Sequence, residues 1–151
     1  NLKKKWPNIH YHIVGNPKTK KDLLFLANKY QVVDNVTIHG QVKGKLELAK
    51  AYQTADVFII LSENQADGDV EGFGIVILEA NYFSLPAIGA KGCGIEDAIM
   101  DDMNGYLVNG KSYKDIEKNI DKILKNKDRL QISTKKHVKN FSWDKIIKQI
   151  I

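Results

Sequence analysis

Cysteine is nearly absent. Cys93 stands alone, which excludes an intrachain disulfide framework and is compatible with the cytosol. Long apolar runs are absent too. No stretch of about 18 apolar residues occurs, so no membrane-spanning helix is expected. No segment has the make-up of a signal peptide. The chain opens without Met, on Leu2-Lys3-Lys4-Lys5-Trp6-Pro7, which reads as the end of a helix already under way. A fragment is therefore expected, and the lack of a leader says nothing of what precedes it. Internal repeats and low-complexity segments are missing. So is a Gly-x-Gly-x-x-Gly fingerprint, which disfavours a nicotinamide-dinucleotide oxidoreductase. His10, His12, His39 and His137 lack metal-ligand spacing. His10 and His12 share one strand face, but no third ligand is suggested, and all four read as structural.

What is present is a chain of 151 residues, enough for one domain with its own core. With 43% hydrophobic and 27% charged residues, a soluble globular domain is expected. The net charge of +5 is unevenly spread. Residues 1–30 carry seven Lys against one acid, residues 31–110 four Lys against twelve acids, and residues 111–151 twelve Lys or Arg against five acids. A nucleic-acid binder gathers its basic residues, with aromatics between them, around its site. Here the glycine-rich middle is the acidic part. The basic ends read as solvated helix faces, and nucleic acid is disfavoured. A peripheral membrane patch stays open, because Lys-rich segments are drawn to anionic lipid.

Strands and helices alternate. Ile9 to Val14 reads as a strand ending in the turn Gly15-Asn16-Pro17. A helix over 18–30 is expected to turn Leu23, Leu24, Leu26, Ala27 and Tyr30 inward. A short strand at 36–38 closes on His39-Gly40, and a helix spans 45–54. Val57 to Leu61 is fully apolar, as in a parallel sheet covered on both faces. Further strands are expected at 87–89 and 105–108. A short helix starts at Ile95, and longer ones cover 115–124, 128–139 and 143–151, split near Asn126 and at Phe141-Ser142. Ser142 reads as a helix cap and Trp143 as a packed anchor. Such βαβ units imply an α/β fold with a doubly wound parallel sheet. Ligands then bind beyond the carboxyl ends of the strands. Gly15, Gly40, the loop after Leu61 and the stretch 89–94 all follow strand ends.

One stretch, 68–80, organises the rest. Its approach is acidic: Asp67, Gly68, Asp69. The hinge Glu71-Gly72-Phe73-Gly74 follows, and its glycines let the backbone take φ > 0 and come close to a ligand. Ile75 to Phe83 reads as a buried helix, with Ile75, Leu78 and Tyr82 inward and Val76, Ile77 and Ala80 widening the apolar face. Free N–H groups at such a helix start suit a phosphate. Glu71 lies before the helix and Glu79 inside it, roughly 12 Å apart if the rise is helical throughout. That suits a long ligand touched at two places. It equally suits one solvated loop Glu and one ordinary helix Glu. Asp67-Gly68-Asp69 spells a metal-binding Asp-x-Asp, but two Asp around a Gly also mark a turn.

Glu71, seven residues, then Glu79, set around Gly-Phe-Gly and ending Leu-Glu-Ala, resembles the donor-site signature of group 1 (family 4) retaining glycosyltransferases. The segment Ala66-Asp67-Gly68-Asp69-Val70 resembles a subgroup that makes bacterial surface polysaccharides. The resemblance covers nearly the whole chain, but only the C-terminal half of such an enzyme. It implies a Rossmann-like, GT-B donor domain over 1–151 that lacks its first strand, with the acceptor domain elsewhere. It implies transfer of a sugar from a nucleotide-diphosphate donor to a glycan or lipid-linked acceptor with retention. Glu71 would be catalytic, touching the donor sugar. Gly72, Phe73, Gly74 and Ile75 would hold sugar hydroxyl and phosphate through backbone N–H groups, and Glu79 the ribose. Gly15 would line the pocket, and the backbone near Val42 would hold the base. No cofactor and no metal are implied, since helix dipole and basic residues do the neutralising. A cytoplasmic location, with membrane contact open, is expected.

Other residues carry less. Cys93 between Gly92 and Gly94 has no evident base for a nucleophile's role. By the resemblance its loop, with Glu96, shapes the floor of the site. The family's Arg and Lys that grip the diphosphate fall upstream of Asn1, so the chain reads as a donor half-site. A non-catalytic nucleotide-sugar-binding or assembly module remains the alternative.

Overall fold

The structure is a computed structural model that describes residues 2–15, 20–62, 72–142 and 145. The chain divides into two compact units, residues 1–48 and 49–151.

In the first unit a short helix α1 (Leu2–Lys5) leads into β1 (Tyr11–Val14), which pairs in parallel with β2 (Val36–Gly40). Helix α2 (Lys20–Lys29) and a 3-10 turn (Val33–Asn35) make the crossover between them. Parallel strands need such a connection. Asn35 Nδ2 ties the turn back to the Ile9 carbonyl at 2.8 Å. The inward face of α2 is narrower than the sequence predicts. Ala27 is buried and Leu23 half-buried, but Leu24, Leu26 and Tyr30 are exposed. A sheet two strands wide covers only one strip of a helix.

In the second unit β3 (Phe58–Ile60), β4 (Ala87–Ala90) and β5 (Gly105–Val108) form a parallel sheet in that order. Central β4 is buried throughout. It carries only small residues and one Ile because helices press on it. A Cβ on Gly89 would stand 2.5 Å from Ile95 and 2.6 Å from Ile99. Helix α3 (Lys45–Thr54) precedes β3, and α4 (Ile75–Tyr82) links β3 to β4. A 3-10 helix (Gly94–Ala98) follows β4, and α5 (Tyr113–Lys125) and α6 (Lys127–Val138) follow β5. Ser112 caps α5 by accepting from the Asp115 N–H, a polar end to a helix whose Ile120 and Ile123 are buried. The break at Asn126 falls where the sequence places it. The Asn126 side chain donates to the Lys122 carbonyl at 2.9 Å. Ser142 is extended, and its carbonyl accepts from Lys145 N–H; Trp143 lies outside the described residues.

The face that α4 buries differs from the expected one. Ile77, Ala80 and Asn81 are buried, Leu78 is half-buried, and Ile75 and Tyr82 are each 67% exposed. The helix is apolar almost all round, so spacing alone does not choose a face. Two specific contacts choose it. Gly74 packs at its front against Ile77 and Ile95. At its back Asn81 accepts from Asn104 Nδ2 at 2.6 Å and donates to the Leu85 carbonyl at 3.0 Å. Asn104 also donates to the Ala98 carbonyl and accepts from Met100 N–H. Both side chains are fully buried, and each bond satisfies a group that burial would otherwise penalise.

Candidate functional site

Gly74 starts α4 in the left-handed region, at φ 73° and ψ 53°. A side chain there is strained, and a Cβ would stand 3.1 Å from Ile77 and 3.3 Å from Ile95. The Gly74 carbonyl accepts from Ile77 N–H at 2.8 Å. This sets the helix going at once, and the first-turn N–H groups of Ile75 and Val76 have no carbonyl one turn earlier in the helix to bond. They carry the positive end of the helix dipole. The exposed Ile75 side chain leaves the backbone at this end as the candidate ligand surface.

This helix start lies on the carboxyl rim of the sheet. Its Gly74 touches Ile95, in the 3-10 helix that follows β4. The loop after β4 is pinned, since Gly92 N–H donates to Glu96 Oε1 at 2.6 Å. Cys93 Sγ lies 3.5 Å from the Ser62 carbonyl, beyond the end of β3. Gly110, after β5, lies beside Ala90 and Leu61, where a Cβ would be in ordinary contact at 3.4 and 3.7 Å. Three strand ends and one helix start thus share a rim. Cys93 is half-buried, and its sulfur faces carbonyls rather than a base.

Glu79 sits one turn behind the helix start, about 6 Å along the axis from Ile75. Its Oε2 accepts from Tyr52 Oη at 2.9 Å. Tyr52 comes from α3 and is 8% exposed. Its ring stacks on Phe83 at 5.6 Å and 13° and tilts against Phe58 at 5.9 Å. Burial, then the bond to Glu79 and its charge, push the Tyr52 hydroxyl well above the usual phenol range. It is therefore a donor at any working pH, and Glu79 the acceptor.

Of the sequence-predicted residues, the structure gathers Gly72, Phe73, Gly74, Ile75 and Glu79 at this one crossover. Phe73 is half-buried against the core and meets Phe141 at 5.6 Å, so its ring anchors the hinge. Gly15 and Val42 belong to the first unit. There Gly15 N–H donates to the Gly40 carbonyl at 2.9 Å, joining the two strand ends. Val42 is half-buried just beyond. Glu71, Asp67 and Asp69 lie outside the described residues. Sequence reasoning missed Tyr52. A Tyr on a helix ahead of an apolar strand is itself a signal, because a buried hydroxyl requires an acceptor.

The histidines are closer together than their spacing suggests. His12 Nδ1 and His39 Nε2 are 2.9 Å apart across β1 and β2, and His10 Nε2 bonds Thr37 at 2.8 Å. Among the described residues no group of three His, Cys, Asp or Glu is arranged to hold a metal ion. Nor is any described helix long and apolar enough to cross a membrane.

Comparison with known proteins is consistent with this arrangement. The family model "Glycosyl transferases group 1" matches residues 1–141. A D-inositol 3-phosphate glycosyltransferase of Geodermatophilus obscurus is 28% identical over 148 residues, covering 95% of this chain and 31% of that protein. A GDP-mannose-dependent alpha-(1-6)-phosphatidylinositol monomannoside mannosyltransferase of Mycobacterium tuberculosis is 33% identical over 118 residues, covering 78% of this chain and 30% of that one. The chain thus spans under a third of the length of these relatives. The pneumococcal O-GlcNAc transferase GtfA, solved with UDP and GlcNAc, superposes with a TM-score of 0.74 at 21% identity, over 98% of this chain and 29% of that one. The shared fold is the parallel α/β arrangement of GT-B glycosyltransferases. This chain belongs to the glycosyl transferases group 1 family.

Proposed function

We propose that this chain holds the nucleotide-diphosphate sugar donor of a retaining glycosyltransferase. The observation that carries this is the start of α4. A left-handed Gly74 opens free N–H groups on the carboxyl rim of a parallel sheet, and a carboxylate is held one turn behind. That pair of features fits the two ends of one ligand: an anionic diphosphate at the amides and ribose hydroxyls at Glu79. The leaving diphosphate gains negative charge as the glycosidic bond breaks, and fixed N–H donors act where that charge develops. The backbone of 72–75 holds diphosphate and sugar. Glu71 meets the donor sugar and supports charge at the anomeric carbon. Relatives that use GDP-mannose, and a neighbour solved with UDP, support the donor class. The acceptor, a glycan or a lipid-linked sugar, is bound by parts of the longer protein. We place the reaction in the cytoplasm, with the Lys-rich helices α5 and α6 available to anionic lipid.

Binding needs no metal in this reading, because amides and helix dipole take the place of a cation. Calorimetry of the chain with UDP and with GDP, in chelator and in Mn²⁺, tests it. Weak binding of one of them, unchanged by either addition, is expected. Binding that appears only with Mn²⁺ would return Asp67 and Asp69 as ligands and overturn the metal-free site.

A further inference from the structure

Tyr52 and Glu79 are 27 residues apart and meet through a single hydrogen bond. A backbone carbonyl would satisfy the Tyr52 hydroxyl equally well. A carboxylate partner, in contrast, is itself held in place. Glu79 has three rotatable side-chain bonds and sits half-buried on α4. The Tyr52 ring is fixed between Phe83, at the end of α4, and Phe58, in β3. Its hydroxyl is therefore a rigid point against which a flexible carboxylate is aligned.

We propose that Tyr52 is a positioning residue for nucleoside recognition: by donating to Glu79 Oε2 it fixes the carboxylate so that the other oxygen, Oε1, reads the ribose hydroxyls of the donor. This rests on the donor-site reading of Glu79 given above. A carboxylate accepts at both oxygens, so one bond to Tyr52 leaves the second oxygen's acceptor sites distinct from it. A ribose diol presents two adjacent donors, and reading it well requires a preset acceptor rather than one that must be ordered on binding. The raised pKa of Tyr52 agrees, since it keeps the proton on the tyrosine, where the bond needs a donor.

The test uses four nucleotides as probes: UDP, GDP and their 2′,3′-dideoxy counterparts, titrated into the chain and into Tyr52→Phe. Phe keeps the ring and its stacking and removes only the donor. Wild type is expected to prefer the ribonucleotide by about tenfold or more, the size of one hydrogen bond to a charged group. Tyr52→Phe is expected to cut that preference at least threefold while leaving dideoxy affinity unchanged. A merely structural role would weaken both nucleotides alike, and that result, or an unaltered preference, overturns the proposal. Wild type binding neither nucleotide, or binding ribo and dideoxy forms equally, overturns instead the donor-site reading of Glu79. Melting curves check that Tyr52→Phe is folded. If it is not, Glu79→Gln is compared with the Tyr52→Phe/Glu79→Gln double variant, which leaves no charge unpaired. Equal ribose preference in these two supports action through Glu79, and a further drop in the double variant refutes it.

Discussion

A graded set of glycine substitutions separates the forces that hold the start of α4. Gly72 has open space where a Cβ would be and no positive φ, so Gly72→Ala should change stability by under about 0.5 kcal/mol. Gly92 sits at φ 89° with nothing within 4 Å of its missing Cβ. Gly92→Ala meets only backbone strain, about 1–3 kcal/mol. Gly74 meets both costs. The left-handed backbone disfavours Ala by about 1–2 kcal/mol. The Cβ contacts at 3.1 and 3.3 Å push two packed isoleucines, and crowding of a core typically costs about 1–3 kcal/mol. Gly74→Ala should therefore cost about 2–4 kcal/mol and also disturb the front amides. Gly74→Asn isolates the crowding, because Asn tolerates the left-handed region; it should recover about 1 kcal/mol. Urea unfolding at fixed slope gives the order Gly72→Ala, Gly92→Ala, Gly74→Ala. If Gly74→Ala were as stable as Gly72→Ala, neither the backbone nor the packing argument for this hinge would stand.

Three further outcomes follow from the same packing. Asn104→Ala takes a partner from Asn81 Oδ1, the Ala98 carbonyl and the Met100 N–H; Asn81 is fully buried, whereas Met100 is exposed and the Ala98 carbonyl also faces His137. At about 1–3 kcal/mol for a buried unsatisfied group, unfolding should become about 1–3 kcal/mol easier, whereas a loss under about 0.5 kcal/mol would mean the network is dispensable. The two faces of α4 should separate cleanly: Ile77→Ala should cost about 2–5 kcal/mol and Ile75→Ala under about 0.5 kcal/mol, and a reversal of that order in denaturant melts would restore the face that spacing suggests. Stability should fall on mild acidification: burial lowers the pKa of His137, and burial together with His10 and His39 lowers that of His12, so the unfolded chain binds more protons and stability held at neutral pH is lost as pH drops below about 6.5. His137→Leu should flatten the stability curve between pH 5.5 and 7.5, and an equally steep curve in that variant would contradict the assignment.

Much of this fold is legible locally. The helix 45–54 and the strand 105–108 appear at the expected residues, and α4 begins at Ile75 as expected. Each is fixed by features within a few positions: a glycine, a cap, an apolar run. What is not legible depends on partners distant in sequence. The face of α4 is chosen by Asn104, 23 residues from Asn81, and by Ile95 against Gly74. Leu24, Leu26 and Tyr30 have a helix-like pattern, but the width of the sheet beneath, which no local pattern encodes, decides that they are exposed. The candidate site divides the same way. Its backbone component could be read from glycines and spacing. The partner that fixes Glu79 could not, because Tyr52 and Glu79 share no motif, only a bond across the fold.

The central claim is that an anionic nucleotide sits at the front of α4. Amide NMR of the chain, titrated with UDP and with GDP in the presence of chelator, tests it most directly. The account predicts that the N–H signals of Gly74, Ile75 and Val76 move most in the second unit and saturate with the added nucleotide, with Glu79 following. Shifts confined to other segments, or shifts at these amides that appear only when Mn²⁺ replaces the chelator, would contradict it.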